Sequence, residues 1–428
     1  MQNNRNIIVS LYKGGSPVST LREDAQSVIE AALRDAQPKN AIRRALGNVR
    51  LYGGKLRVIA LGKAAWSMAA AAYDELGEHI DMGLVITKYG HAGGSLPRFT
   101  VMEAGHPMPD ENSVRAADAA IALVQGLTVE DTVLMLISGG GSALFEKPLV
   151  PLPLFETTTN ALWRSGANIT EMNVIRKRLS AVKGGRFAKL CAPAGVVGLL
   201  LSDVMGDAPE TIASGPISPD PVTAAEAEST LLRLFPDAPE LLKMLMRRET
   251  PKILPNAETH VIGNVRLLMR SATHALQGMG YDTCVLTDRL DCEAREAGRF
   301  LSAIALTHQR ETHSIAFVAG GETIVRLTGT GLGGRNQELA LAAAPRLDGL
   351  RDTAIFSFGS DGTDGPTDAA GGFVDHRTMG KLRAAGLDVD NALLNNDSYH
   401  TLKACDGLLM TGPTGTNVND VAVLMIRR

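Results

Sequence analysis

Apolar and polar positions along this chain change their period again and again. Between residues 21 and 36, Ala25, Val28, Ile29, Ala32 and Leu33 recur at helical spacing, which predicts a helix that Pro38 ends. From there short apolar runs alternate with helix-like stretches. Strands are predicted at 56–61, 82–87, 99–103, 132–137 and 196–202. Helices are predicted at 64–76, 112–124, 154–165 and 172–190, the last interrupted near Lys183-Gly184-Gly185-Arg186. Alternation of this kind predicts a largely parallel sheet with helices on both faces, a Rossmann-like three-layer α/β/α domain.

Residues 218–256 are rich in proline (Pro219, Pro221, Pro236, Pro239, Pro251, Pro255) and carry no strand pattern, so the domain junction is placed among them. The expectation is two α/β domains, residues 1–240 and residues 241–428. The second alternating region has strands at 260–262 and 283–286 and helices at 265–277 and 294–307. The runs 315–319 and 323–327 flank Gly320-Gly321-Glu322 and read as a hairpin, which makes the second sheet mixed. Strands at 353–358, 407–410 and 421–426 complete it.

Composition narrows the function. A chain of 428 residues with 45% hydrophobic content suits two domains with real cores. A net charge of −3 argues against a general nucleic-acid binder, and 4% aromatics against a base-stacking platform. Cys191, Cys284, Cys292 and Cys405 are scattered, without a CxxC pair, so reduced thiols and a cytoplasmic location are expected. The first fifteen residues lack a signal-peptide core, and no apolar run approaches the ~20 residues of a membrane helix. Small molecules are the expected partners, with no nucleic acid and no membrane; a homodimer is compatible with these features.

The chemistry gathers in the loops that follow strands. Ser138, Gly139, Gly140, Gly141 and Ser142 follow the buried run 132–137, and glycine N–H groups there can converge on an anion beyond the carboxyl end of a strand. Lys63 sits between a strand and a helix N-terminus, where a cation strengthens an anion site. Asp203 and Asp207 follow the strand 196–202; Asp203 is placed to accept a hydroxyl proton, with a turn cap as its ordinary role. Asp361, Asp364 and Asp368 lie in a glycine-rich loop whose oxygens suit Mg2+ or a polyphosphate, the alternative being a cluster of Asx turns. Thr414, Gly415, Thr416 and Asn417 offer small donors to a nucleotide. His91 and His106, in loops after strands, are placed to orient a substrate. Arg176, Lys177, Arg178, Lys183 and Arg186 read as a solvated helix face.

Gly329-Thr330-Gly331-Leu332-Gly333-Gly334 matches the dinucleotide fingerprint GxGxxG. It follows the second arm of the predicted hairpin, however, and the helix after it opens with the polar Arg335-Asn336-Gln337-Glu338. A glycine connection presenting Arg335 fits better. There is no P-loop, and no Ser/His/Asp or Cys/His constellation. Glycine cradles, cations and hard-metal carboxylates are what phosphoryl transfer requires.

These residues resemble a known family. Gly62-Lys63-Ala64, Ile86-Thr87-Lys88-Tyr89-Gly90-His91, Glu103-Ala104-Gly105-His106-Pro107-Met108-Pro109-Asp110, the SGGGSAL run, Leu201-Ser202-Asp203-Val204, Ala213-Ser214-Gly215-Pro216, Gly320-Gly321-Glu322-Thr323, Gly333-Gly334-Arg335-Asn336-Gln337-Glu338 and Gly412-Pro413-Thr414-Gly415-Thr416-Asn417 are similar, in order, to the glycerate 2-kinase family with a C-terminal MOFRL domain. The resemblance implies ATP- and Mg2+-dependent phosphorylation of D-glycerate to 2-phosphoglycerate. It also implies an active site in the cleft between two domains, with Lys63 and Arg335 as the family's functional lysine and arginine. In that scheme Asp203 is the base, the 138–142 loop holds substrate or phosphate, Asp361 and Asp364 hold the metal, and 414–417 holds the nucleotide. Relatives labelled hydroxypyruvate reductase make an NAD(P)H-dependent reductase the alternative, and a non-catalytic ligand sensor a third reading.

Overall fold

The computed structural model describes residues 19–51 and 53–428; the first fifteen residues, read above for a leader, lie outside them. The first helix spans Leu21–Ala36 as the periodicity predicts. Thr20 and Glu23 form a reciprocal capping box at its start, and Ala25, Val28, Ile29, Ala32 and Leu33 are buried. Pro38 ends that helix and also opens the next, Pro38–Leu46, at a position where its missing N–H costs nothing.

Six strands form the first sheet: β1 (Leu56–Leu61), β2 (Met82–Lys88), β3 (Phe99–Ala104), β4 (Thr132–Ile137), β5 (Gly195–Leu201) and β6 (Ala257–Gly263). All pair in parallel, in the order β3-β2-β1-β4-β5-β6. This is the doubly wound order, and its direction reverses between β1 and β4, the crevice where such sheets bind ligands. The strand expected at 260–262 to open the second domain is the sixth strand of this sheet. The 240/241 boundary therefore falls short of the sheet's end: the proline-rich stretch is an excursion within the first domain. Its helices Ala224–Leu234 and Glu240–Met246 pack with Leu152–Arg164 and Ile169–Arg178 around their own core of Phe155, Leu162, Ile175, Leu231 and Leu242.

The second sheet contains β7 (Asp282–Leu290), β8 (Ile315–Gly321), β9 (Thr353–Gly359), β10 (Gly371–Asp375), β11 (Leu408–Leu409) and β12 (Asp420–Ile426), in the order β11-β10-β9-β12-β8-β7. It is mixed, as expected, but not through a hairpin. β8 pairs in parallel with β7 and antiparallel with β12, while residues 323–327 form no strand beyond a single bridge at Ile324. Antiparallel pairing comes from β12, threaded between β8 and β9, and from β10, whose glycine start hid it from the pattern. Asp420 is in register with both Gly321 and Gly359, so three chain segments leave or enter this sheet at one edge.

Candidate active site

In the first sheet, Leu61 is in register with both Ile86 and Ile137, and Ile137 with Leu200, so the loops after β1, β2, β4 and β5 emerge side by side. The loop after β4 is locked to the loop after β1. Lys63 N donates to Gly139 O at 2.8 Å, and Ser138 Oγ accepts from Ala64 N at 3.0 Å. Glycine is required by what surrounds it. A methyl group on Gly139 would overlap the Asp203 carboxylate, and one on Gly140 would lie 3.1 Å from Lys63 Cγ and 3.2 Å from His106 Cδ2. Gly140 itself is left-handed, with φ of 84°. Lys63, His106, the 139–140 backbone and Asp203 are thus assembled at the β1/β4 crevice from four loops.

The electrostatics of this group are those of an anion site facing a base. Among the described residues neither Lys63 nor Lys88 has an ion-pair partner. Burial, reinforced by the charges of Lys63, Lys88 and His91, pushes the His106 imidazole down to about 4. Burial also pushes the Asp203 carboxyl above its ordinary value; its own backbone N–H and Lys63 pull it back, and Glu322 pushes it further up. A carboxylate with a raised pKa is better matched to accepting a proton from an alcohol than an ordinary surface aspartate.

A cavity of about 520 Å³ lies between Lys63 and the loops of the second sheet. Lys63, Ala64, Lys88, Gly90 and His91 line one side, and Asp361, Thr363, Pro413, Gly415, Thr416 and Asn417 the other. The loop after β9 and the loop before β12 brace each other there. Thr414 Oγ1 donates to Ser360 O at 2.5 Å, Thr414 N to Asp361 O at 3.2 Å, and Val418 N to Ser360 Oγ at 2.7 Å. Thr416 Oγ1 is buried with no hydrogen-bond partner, an orphan hydroxyl beside the cavity.

Arg335 is the first residue of the helix Arg335–Leu347 and opens on a different cavity, of about 840 Å³, which shares no lining residue with the first. Its guanidinium is fixed by the sheet edge: Nε and Nη2 donate to Asp420 at 2.5 and 3.1 Å, and Nη1 donates to Glu322 at 2.7 Å. Burial opposes the charge, but Asp420 and Glu322 hold the group more firmly protonated than usual. Asn419 ties this cluster to the first sheet, its Nδ2 donating to Asp203 O at 2.9 Å and to Glu322 Oε2 at 3.3 Å. Glu322, Asn419 and Asp420 were not singled out from the sequence. Their signal was weak, because Glu322 read as a hairpin turn and Asp420 as the residue before an apolar run.

Two expectations, for Asp364 and for the basic residues 176–186, are revised. Asp364 does not share the cavity with Asp361. It is buried, and its carboxylate accepts from Asn336 N at 3.2 Å and Gln337 N at 2.8 Å, capping the helix that presents Arg335. The glycines of 329–334 form a close connection into the helix that presents Arg335, as expected: methyl groups on Gly329, Gly331 and Gly333 would overlap residues 395–398, and Gly329, Gly331, Gly333 and Gly334 also line the 840 Å³ cavity. The basic residues expected on a solvated face are interior. Arg176, Lys177, Arg178 and Lys183 are all buried, and Asp220 accepts ion pairs from Lys177 at 3.2 Å and Arg178 at 3.4 Å. Arg186 is half-buried. Within the 138–142 loop, Gly141 packs against Leu61 and Ala213, and Ser142 Oγ meets Ser214 Oγ at 2.8 Å.

Among the described residues no group of three or more His, Cys, Asp or Glu is arranged for a metal ion, and no helix is long and apolar enough to cross a membrane. Residues 24–246 match a family described as a domain of unknown function (DUF4147), and residues 315–420 match the MOFRL family. A D-glycerate 2-kinase of Thermotoga maritima is 46% identical over 413 residues, which cover 95% of this chain and 99% of that one. An Agrobacterium vitis protein bearing the name hydroxypyruvate reductase is 39% identical over 417 residues, 95% of this chain and 94% of that one. The crystal structure of a Thermotoga maritima glycerate kinase matches with a TM-score of 0.92 at 47% identity, covering 95% of this chain and 99% of that one.

Proposed function

The chain belongs to the glycerate 2-kinase family, and we infer that it transfers the γ-phosphoryl group of ATP to the 2-hydroxyl of D-glycerate, giving 2-phosphoglycerate and ADP. The observation that carries this reading is the β1/β4 crevice, where Lys63, without an ion-pair partner among the described residues, lies beside the Gly139–Gly140 backbone and the raised Asp203 carboxylate and itself lines a cavity with residues of both sheets' loops. That arrangement supplies positive charge and a base, the two things an alcohol needs to attack a phosphoryl group.

In this scheme the cleft between the two sheets is the active site. Asp203 accepts the hydroxyl proton as the new O–P bond forms and the bond from Pγ to the ADP oxygen breaks. Lys63 and Arg335 neutralise the anionic reactants from opposite walls, and the backbone of 138–142 orients substrate or phosphoryl oxygens. Arg335, already fixed by Asp420 and Glu322, needs no reorganisation. The 414–417 loop contacts the nucleotide, with Thr416 Oγ1 gaining the partner it lacks.

Mg2+ takes one or two carboxylates and completes its shell with phosphate oxygens and water, so a single cavity carboxylate fits it. Asp361 is the residue that would hold it, since Asp364 is committed to the helix cap. When bound, the ion offsets phosphate charge.

The reductase reading rests on the 329–334 glycines, whose close packing against residues 395–398 accounts for them without a nucleotide. Purified protein incubated with D-glycerate and Mg–ATP should release ADP in a glycerate-dependent manner and leave NAD(P)H unchanged with hydroxypyruvate. NAD(P)H oxidation without ADP release reverses the assignment; ligand binding without turnover of either pair leaves the sensor.

A further inference from the structure

Behind the 138–142 loop lies a buried positive charge that, among the described residues, no carboxylate pairs directly. Arg176, on the helix Ile169–Arg178, is 7% exposed. Among the described residues its one hydrogen bond is long, from Nη2 to Ser142 O at 3.5 Å, and its Nε is buried without a partner. No carboxylate among the described residues pairs with it. The nearest acidic group, Glu146, is fully buried and already paired with Lys183 Nζ at 3.2 Å. Two buried cations therefore share one carboxylate. The next carboxylate along, Asp220, is likewise shared by Lys177 and Arg178 and has nothing to spare. Burial opposes the Arg176 charge and Glu146 favours it, but a shared carboxylate with no hydrogen bond to the guanidinium offsets only part of the cost of leaving it half-satisfied.

The surroundings are built for an anion. Ser142 Oγ and Ser214 Oγ are 2.8 Å apart, and Ser214 Oγ donates to Asn173 Oδ1 at 3.0 Å, so hydroxyls converge beside the guanidinium. Ala213 and Ser214 hold left-handed conformations, φ of 51° and 59°, which residues with a Cβ adopt only when the surrounding structure imposes them. Gly184 N, donating to Ser214 O at 3.1 Å, and Gly185 N, donating to Gly215 O at 2.7 Å, impose them here. Ser142 is half-buried and lies two residues after Gly140, whose Cα side faces Lys63 and His106.

We propose that Arg176, with Ser142 and Ser214, binds the carboxylate of the 2-hydroxy acid substrate, leaving Lys63 and Arg335 to the phosphoryl group; this rests on the kinase reading above. The planar fork of an arginine matches a carboxylate in two hydrogen bonds. None of the three residues lines the cavity that holds Asp361, Pro413, Thr416 and Asn417, so the site favours the small acid over the nucleotide.

The test compares D-glycerate with its neutral amide, D-glyceramide, in wild type, Arg176→Gln, Arg176→Lys and Ser142→Ala. Binding is measured calorimetrically without ATP, and turnover as ADP release. Wild type should prefer the acid; Arg176→Gln should weaken D-glycerate binding by on the order of 30-fold or more, with D-glyceramide and the KM for ATP little changed. Arg176→Lys should recover part of the preference, and Ser142→Ala, at a half-buried position, should lose a smaller part of it. Folding is confirmed for each variant by its thermal transition, and if Arg176→Gln does not fold the comparison rests on Arg176→Lys and Ser142→Ala. Equal losses on acid and amide, a selective rise in the KM for ATP, or an unchanged preference in these variants would overturn the assignment. Failure of wild type itself to phosphorylate D-glycerate would instead refute the kinase reading.

Discussion

Gly139 and Asp203 leave adjacent strands, and the missing side chain of the first lets the carboxylate of the second lie against the loop. That closeness is what brings a base to within reach of the residues that Lys63 faces. Burial raises the Asp203 pKa, and the base works only when ionised, so kcat/KM should fall as pH is lowered through the raised value. Asp203→Asn should lower kcat by roughly 10²–10⁴-fold and abolish that acidic limb; a variant that keeps both rate and limb removes Asp203 from the mechanism. Lys63→Ala and Arg335→Ala should each cost about 10²–10³-fold in kcat/KM, the scale of one preorganised charge in a dry site. Arg335→Lys should rescue little, because lysine cannot reproduce the two-pronged bond to Asp420 together with the contact to Glu322. Near wild-type kinetics in any of the three would discard the two-cation scheme.

At the scale of elements, the site depends on how the helix Arg335–Leu347 begins. Its N-cap, Gly334, has no side chain to offer, and Asp364 comes from the loop after β9 to take the free N–H groups. Asp364→Ala should therefore cost about 1–2 kcal/mol and a few degrees of Tm, and should lower activity by loosening Arg335. Asp364→Asn, which keeps an acceptor, should preserve most of the stability and leave the Mg2+ concentration for half-maximal rate unchanged. Asp361→Asn should do the reverse. A large Mg2+ shift in Asp364→Asn at full stability would restore Asp364 as a ligand. This residue marks where sequence reading stopped. The run 132–137 and the helices 21–36 and 294–307 were legible to the residue, because period and caps are local. Whether an aspartate in a glycine-rich loop faces a cavity or a helix end depends on a partner 27 or 28 positions away. The same limit explains β12, an apolar run whose place between β8 and β9 no periodicity encodes, and Arg176, whose polar neighbours in sequence hid an interior position.

The two sheets are not independent bodies. The helix Leu21–Ala36 precedes the first sheet in the chain, yet it packs on Val265–Gly278, the helix that covers the second sheet. Polar contacts pin it there: Tyr281 OH donates to Asp24 Oδ2 at 2.9 Å, Ser271 Oγ to Asp35 Oδ2 at 2.8 Å, and Arg22 to the carbonyls of Asp406 and Leu408 at 2.6 and 2.5 Å. One buried cluster runs without interruption from Val28 and Ile29 through Val58 and Met68 to Leu268, Phe356 and Val423. Unfolding either sheet strips apolar cover from the other, so the hydrophobic term couples them. The full chain should then melt in a single calorimetric transition whose van't Hoff and calorimetric enthalpies agree. A fragment of residues 241–428 lacks both the Leu21–Ala36 helix and β5, the strand that pairs with β6, and it should fail to melt cooperatively, since Leu268, Ala272 and Leu276 lose their cover. Two resolved transitions in the full chain, or a sharply melting fragment, would show that the strap is dispensable and that the cavity between the sheets is set by their facing loops alone.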